Sequence, residues 1–289
     1  MITNNPAPPR AHVQSVFSPS SLNCFENCPK QYSFRYIEKI QIESEGIEAF
    51  VGKRVHEILE RLYQFVGQGM LPSLGKVVAR YHANFEQQFD AARVRIAREG
   101  TPVDFYRDAG ARGLENYYRR HYPFDRDHTV GLERKVQFAL DEDGRYAVRG
   151  IIDRIARAKD GVLEIHDFKT GRRIPKQDDL DCDRQLGLYE LGLREQLGED
   201  GDVRLVWHYV LRDEQRTSQR SPEQRAALRS ATTRAIDKIR GEREFAPKPS
   251  GLCNWCEFKE RCPAVNPERA AELAALAADV EPDPQLSLL

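Results

Sequence analysis

Two constellations of residues could do chemistry. One runs through the middle of the chain: His56, Asp153, Asp167, Lys169, Gln185 and Tyr189. Carboxylates beside an ammonium suit a hard divalent cation and a phosphate ester. The other joins the chain ends: Cys28, then Cys253, Cys256 and Cys262. Cys-x2-Cys-x5-Cys with one distant cysteine supplies four thiolates, which fits tetrahedral Zn2+ or a 4Fe–4S cluster. Spacing leaves both open. Cys24, one helical turn before Cys28, is a rival ligand. Cys182 stands apart as an incidental thiol.

The carboxylates can be placed by counting. The run LeuGluIleHisAspPheLysThr at 163–170 reads as a strand. Strand side chains alternate faces, so Asp167 and Lys169 point one way and His166 and Phe168 the other. Lys159-Asp160-Gly161 reads as a three-residue hairpin loop with Gly161 left-handed. That loop pairs 158 with 162, and therefore 153 with 167. Asp153 then faces Asp167 with Cβ atoms about 5 Å apart. Two such carboxylates repel unless a cation lies between them, and oxygen ligands favour Mg2+ or Mn2+. Lys169 beside that cation can orient a nucleophile or stabilise charge on phosphate. Gln185 and Tyr189, four apart on an expected helix, share one face. His56, in GlyLysArgValHis, can add an imidazole ligand.

The elements that must position these groups follow from periodicity. Ser18-Pro19-Ser20 starts a helix, with Ser at the cap and Pro in the first turn. A second helix is expected over about 48–64, from Val51, Val55, Ile58, Leu59 and Leu62. Residues 75–122 read as amphipathic helices. Strands are expected from near Gly131 to Leu140, at 146–155, 162–169 and 203–211. Helices are expected at 181–197, 222–242 and 267–278.

The 289 residues carry 44 Lys and Arg against 45 Asp and Glu, a net charge of −1. Any nucleic-acid surface must therefore be local. Arg149, Arg154, Arg157, Arg172, Arg173, Lys176 and Arg184 supply that density, and Tyr106, Tyr117 and Tyr118 are aromatics for base stacking. The 40% hydrophobic content supports a real core. No apolar run reaches the roughly 20 residues of a membrane span, and the N-terminus lacks signal-peptide character. A cytoplasmic protein is expected, where six cysteines suit thiolate ligands better than disulfides.

GlyLysArgValHis, GlyIleIleAsp, AspPheLysThr and Gln-x3-Tyr, in that order, resemble the RecB-like branch of the PD-(D/E)XK nuclease superfamily. The resemblance spans about residues 18–265. It implies an α/β, restriction-endonuclease-like mixed sheet flanked by helices. It implies Asp153 and Asp167 as acidic metal ligands, His56 and Phe168 as further metal-binding positions, and Lys169 as the catalytic lysine. Gln185 and Tyr189 match a helix motif near DNA. Glu133 is a weaker match to an accessory acid. CysPro-x2-Tyr at 28–32 and the C-terminal triplet resemble cluster-binding members, the AddB-type helicase–nuclease subunits and CRISPR adaptation nucleases. There a 4Fe–4S cluster staples the N- and C-terminal segments, with Trp255 and Phe258 expected here as its shield.

The expected organisation is a flexible 1–17, a nuclease domain at 18–265, and a helix with a flexible tail at 266–289. Within the domain, 66–128 is a helical insertion, and 18–36 and 247–265 hold the cluster. The implied function is a metal-dependent DNA exonuclease on single-stranded ends, in repair or recombination. A CRISPR adaptation nuclease and a non-catalytic DNA-binding module with a zinc or iron–sulfur staple are the alternatives. No phosphate-binding loop of a helicase is present, so unwinding needs a helicase partner. Gln285-Leu286-Ser287-Leu288-Leu289 resembles the short peptides that dock on a sliding clamp.

Overall fold

A computed structural model describes residues 15–198 and 201–278. In chain order the elements are β1 (Val16–Phe17), α1 (Pro19–Asn27), α2 (Pro29–Tyr32), a π-helical turn (Ser33–Ile37), β2 (Glu45–Gly46), α3 (Ile47–Gly67) and α4 (Leu74–Gln88). Next come β3 (Val94–Arg95), α5 (Val103–His121), β4 (Asp127–Ala139), β5 (Ala147–Ala158), β6 (Leu163–Lys169), α6 (Gln177–Asp181) and α7 (Arg184–Leu197). The chain continues through β7 (Val203–Tyr209), β8 (Glu214–Ser218), α8 (Pro222–Gly241) and α9 (Pro267–Ala278).

Six strands form a mixed sheet in the order β1-β5-β6-β7-β8, with β4 also on β5. β4 pairs antiparallel along the whole of one β5 edge. The opposite edge is shared. β6 pairs there from Arg154↔His166 to Arg157↔Leu163, and β1 pairs parallel at Ala147 and Val148. Past Arg154↔His166 the β5–β6 ladder stops although both strands run on. The sheet forks at this point.

Helices cover both faces. α3, α4 and α5 pack around Phe50, Leu59, Tyr81, Leu114 and Phe168. On the other face, α7 lies on Ile152, Ile165, Leu205 and Trp207. α1 and α8 pack beside it through Phe17, Leu22, Leu188 and Ile236. Ser18 caps α1 with a capping box, Pro19 opens the helix, and Gly198 in the left-handed region ends α7.

The structure corrects four sequence expectations. Val16 and Phe17 belong to the sheet rather than to a loose N-terminus, and Phe17 is fully buried. The helix expected at 181–197 breaks at Cys182-Asp183, where the Asp183 carboxylate caps α7 through the Leu186 amide. β8 and the two-residue β2–β3 pair were not expected. The insertion's borders shift, because α3 runs to Gly67 and β4 starts at Asp127.

Candidate active site

The fork collects the central constellation. The 158–162 pairing holds, with the Val162 carbonyl accepting from the Ala158 amide at 2.9 Å, and Gly161 has φ of 84°. Asp153 and Asp167 therefore lie across the opening gap. Asp153 Oδ2 accepts from the Phe168 amide at 2.8 Å, and the His56 Nε2–H meets the Phe168 carbonyl at 2.7 Å. Both backbone groups of Phe168 are thus satisfied by side chains where the ladder to β5 has ended. Its ring is buried against Tyr63, Tyr117 and His208, so its carbonyl is the group it offers to the cleft.

Asp167 is held differently. The Lys169 ammonium lies 2.6 Å from Asp167 Oδ2 and donates to Gln185 Oε1 at 2.7 Å. Gln185 Nε2 donates to Asp167 Oδ1 at 2.9 Å and to the Tyr189 hydroxyl at 3.1 Å. Tyr189 is 7% exposed, and its hydroxyl meets Gln185 rather than open solvent. Gly150 makes room for it: a Cβ at 150 would sit 2.2 Å from Tyr189 Cε1. The glycine of the GlyIleIleAsp motif is thus a packing requirement. A glycine inside a strand is the sequence signal for such close approach, and it went unread.

Glu133 comes closer to the centre than the sequence indicated. Continuing the Leu132↔Arg154 and Arg134↔Ile152 register sets it opposite Asp153. Its φ is +45°, an uncommon conformation for a non-glycine residue, beside a bulge between Thr129 and Gly131. One ligand atom each from His56, Glu133 and Asp153 lie within 4.8 Å of one another. Asp167 stands outside this trio, engaged by Lys169 and Gln185. Glu48, Lys53, Glu57, Glu60 and Thr170 are among the residues that line a cleft of about 430 Å3 in front of His56 and Glu133.

The electrostatics mark a cation-seeking site. Burial, with Asp167 and Glu133 nearby, pushes the Asp153 carboxyl up to about 8. Burial and Glu60 also push Glu133 up. Burial opposes the Lys169 charge, but the charge and hydrogen bond of Asp167 outweigh it and hold the ammonium above its usual range. Asp167 Oδ2 is buried and, despite the close ammonium, accepts no well-aligned hydrogen bond. The carboxylate, carbonyl and imidazole donors suit a divalent cation, so the residues present fit such an ion.

A second trio, Asp127, Glu164 and His166, lies behind the fork. Its charges are already neutralised. Arg154 pairs with Asp127, and Arg204 pairs with Glu164. Arg154 is 1% exposed, so it cannot be the phosphate contact suggested by sequence. Arg184, another of that set, pairs with Glu26.

The cysteines of the second constellation meet. Cys28, Cys253, Cys256 and Cys262 line one cavity of about 410 Å3, together with Cys24. Cys182 is exposed at the α6–α7 junction, outside it. The Lys248 and Ser250 amides donate to Cys28 Sγ and Cys253 Sγ at 3.4 and 3.3 Å. Lys30, Arg35, Lys248 and Lys259 also line the cavity. Among the described residues no three thiol sulfurs lie within 4.8 Å of one another. Burial pushes the Cys24 thiol up to about 12 and the Cys256 thiol up to about 11. Phe258 is buried on Phe34, whereas Trp255 is 51% exposed and shields less than expected.

The sequence model of the PD-(D/E)XK nuclease superfamily matches residues 16–263, and the chain belongs to that superfamily. The crystal structure of the protein designated SSO0001 is similar over 88% of this chain and 89% of its own, with 16% identity and a TM-score of 0.39. A crystal structure described as that of a candidate exonuclease from Eubacterium rectale is similar over 89% and 93%, with 10% identity and a TM-score of 0.48. Among curated proteins no relative was found. Among the described residues no helix is long and apolar enough to cross a membrane.

Proposed function

We propose that this chain is a divalent-metal-dependent DNA nuclease that trims single-stranded ends in repair or recombination. The observation that carries the reading is the fork. There Asp153 and Asp167 face one another under burial, with His56, Glu133, Lys169 and Gln185 around them. His56, Glu133, Asp153, Asp167 and the Phe168 carbonyl would hold the ion. When bound, the ion supplies Lewis-acid polarisation of the phosphate and a nucleophile at neutral pH. Lys169 presents a fixed positive charge where the phosphate gains negative charge. Gln185 ties Lys169 to Asp167, which together set its amide orientation, and the Tyr189 hydroxyl accepts a second hydrogen bond from its Nε2.

The cysteine cavity would hold a 4Fe–4S cluster through Cys28, Cys253, Cys256 and Cys262. The amide donors to sulfur and the four lining cations support the larger, anionic group. A helicase would supply unwinding. Docking on a sliding clamp would fall to Gln285–Leu289, which lie outside the described residues.

The test is anaerobic purification, visible absorption, then cleavage of labelled oligonucleotides with Mg2+ or Mn2+. A broad visible band and metal-dependent cutting are expected. Wild-type cutting by Lys169→Ala would sink the site, and a colourless zinc-only protein would sink the cluster.

A further inference from the structure

Tyr106, Tyr117 and Tyr118, the stacking aromatics suggested by sequence, are 7%, 4% and 6% exposed and closed to a ligand. Their neighbour Phe105 is 38% exposed, in the first turn of α5. The Arg172 guanidinium lies 4.8 Å from its ring centroid. Arg172 is three residues beyond Lys169, so at most about 11 Å of chain separates them.

The path of α5 explains the meeting. Tyr117 packs on Phe168 of β6, and Gly113 abuts Val210 just past β7. The twelve residues from Tyr117 back to Phe105 span about 18 Å of helix. The first turn of α5 therefore overhangs the end of β6 that carries Lys169. The loop beneath it is cationic. Arg172, Arg173 and Lys176 are exposed. Among the described residues no side chain of the three makes an ion pair or a hydrogen bond. Elsewhere Arg35, Arg154, Arg184 and Arg204 are all engaged by carboxylates.

We propose that Phe105, Arg172 and Arg173 form a docking station for single-stranded nucleic acid beside the cleavage site. An unpaired base stacks on the Phe105 ring, and the guanidinium groups hold the flanking phosphates. A base inside a duplex already has neighbours on both faces, so the station admits only unpaired bases. Strand selectivity then arises outside the metal site. This inference rests on the nuclease reading above and assigns the origin of its single-strand preference.

The test measures binding and cleavage of a fluorescein-labelled oligothymidylate by the full chain over a range of salt concentrations. Phe105→Ala should weaken binding and raise KM about tenfold, with kcat unchanged. Phe105→Leu keeps apolar bulk but loses the ring, and should show the same loss. Phe105→Trp should bind as the wild type does. Arg172→Gln should lower the slope of log affinity against log salt by about 0.7, whereas Phe105→Ala should leave that slope alone. Undiminished binding by both Phe105→Ala and Phe105→Leu, in a chain that still cuts DNA, overturns the station and spares the nuclease. A wild-type chain that neither binds nor cuts DNA overturns both.

Discussion

β5 and β6 carry two charged sites, back to back, built from adjacent residues. Arg154 and His166 face α3 and α5; Asp153 and Asp167 face the fork. Behind the sheet Asp127, Arg154, Glu164 and Arg204 all have protein partners. Arg154 pairs with Asp127, donates to Thr129 Oγ1 at 2.9 Å, and lies 3.9 Å over the Tyr63 ring. Its Nη1 is 3.2 Å from His166 Nε2, and a guanidinium can only donate. His166 must then accept there, and its Nδ1–H meets His208 Nε2 at 2.9 Å. Burial lowers both imidazoles and keeps them neutral. Glu164 Oε2 also lies 3.2 Å from His166 Nε2, but a neutral ring makes no ion pair, and Glu164 is balanced by Arg204. In front, carboxylates outnumber cations, and Asp153 retains its proton to about 8. A buried network that closes on itself is structural. One that stays short of positive charge is waiting for an ion or a substrate.

Mutations should separate the two sides. Asp153→Ala, Asp167→Ala and Lys169→Ala should each lower cleavage by about a thousandfold or more, the scale of a lost transition-state electrostatic partner, with a cooperative melt retained. Steady-state kinetics and thermal melts check this together. Arg154→Ala should do the reverse. It strands Asp127 and opens the packing on Tyr63, costing about 3–5 kcal/mol. The melting temperature should fall by roughly 10 °C, while activity per folded molecule survives. A stable but inactive Arg154→Ala would break the comparison.

Gly150→Ala probes the contact between the sheet and Tyr189. The added methyl collides with the ring, so a loss of about 1–3 kcal/mol is expected. Cleavage should fall with it, because Gln185 loses the hydroxyl that accepts from its Nε2. Tyr189→Phe should cost less in both measurements.

The smallest effect concerns pH. Asp153 titrates near 3.8 when unfolded and near 8 when folded without metal. Between those values the folded chain holds a proton that the unfolded chain has released, so metal-free stability falls as pH rises through the window. Mn2+ should displace that proton. Its stabilising shift in melting temperature should therefore grow by a few degrees from pH 6 to pH 8, and Asp153→Asn should flatten the growth. Calorimetry at several pH values would read this, and a pH-independent Mn2+ shift in the wild type would count against it.

Much of the front was legible in sequence because it depends on short-range rules. A turn glycine set the β5–β6 register, and alternation put Asp167 and Lys169 together. Helical spacing put Gln185 one turn from Tyr189. What escaped depends on distant partners. Val16–Phe17 is too short to show a pattern and is a strand only because β5 leaves edge open. β8, GluGlnArgThrSer, lacks apolar alternation and is ordered by β7. The place of Glu133 opposite Asp153 depends on a bulge, and no periodicity announces one. Arg154 looked like a surface cation because alternation gives the face but not what covers it.

The cysteine cavity carries a latch that contains no sulfur. Glu257, next to Cys256, accepts from Arg35 and from Gln31, the latter at 3.2 Å. Phe258 rests on Phe34, and Lys248 Nζ donates to the Glu26 carbonyl at 2.8 Å. These contacts bridge the same two segments that the thiols would bridge, and they ask nothing of the cell's iron supply. A receptacle closed by these contacts would exist before any inorganic group entered it.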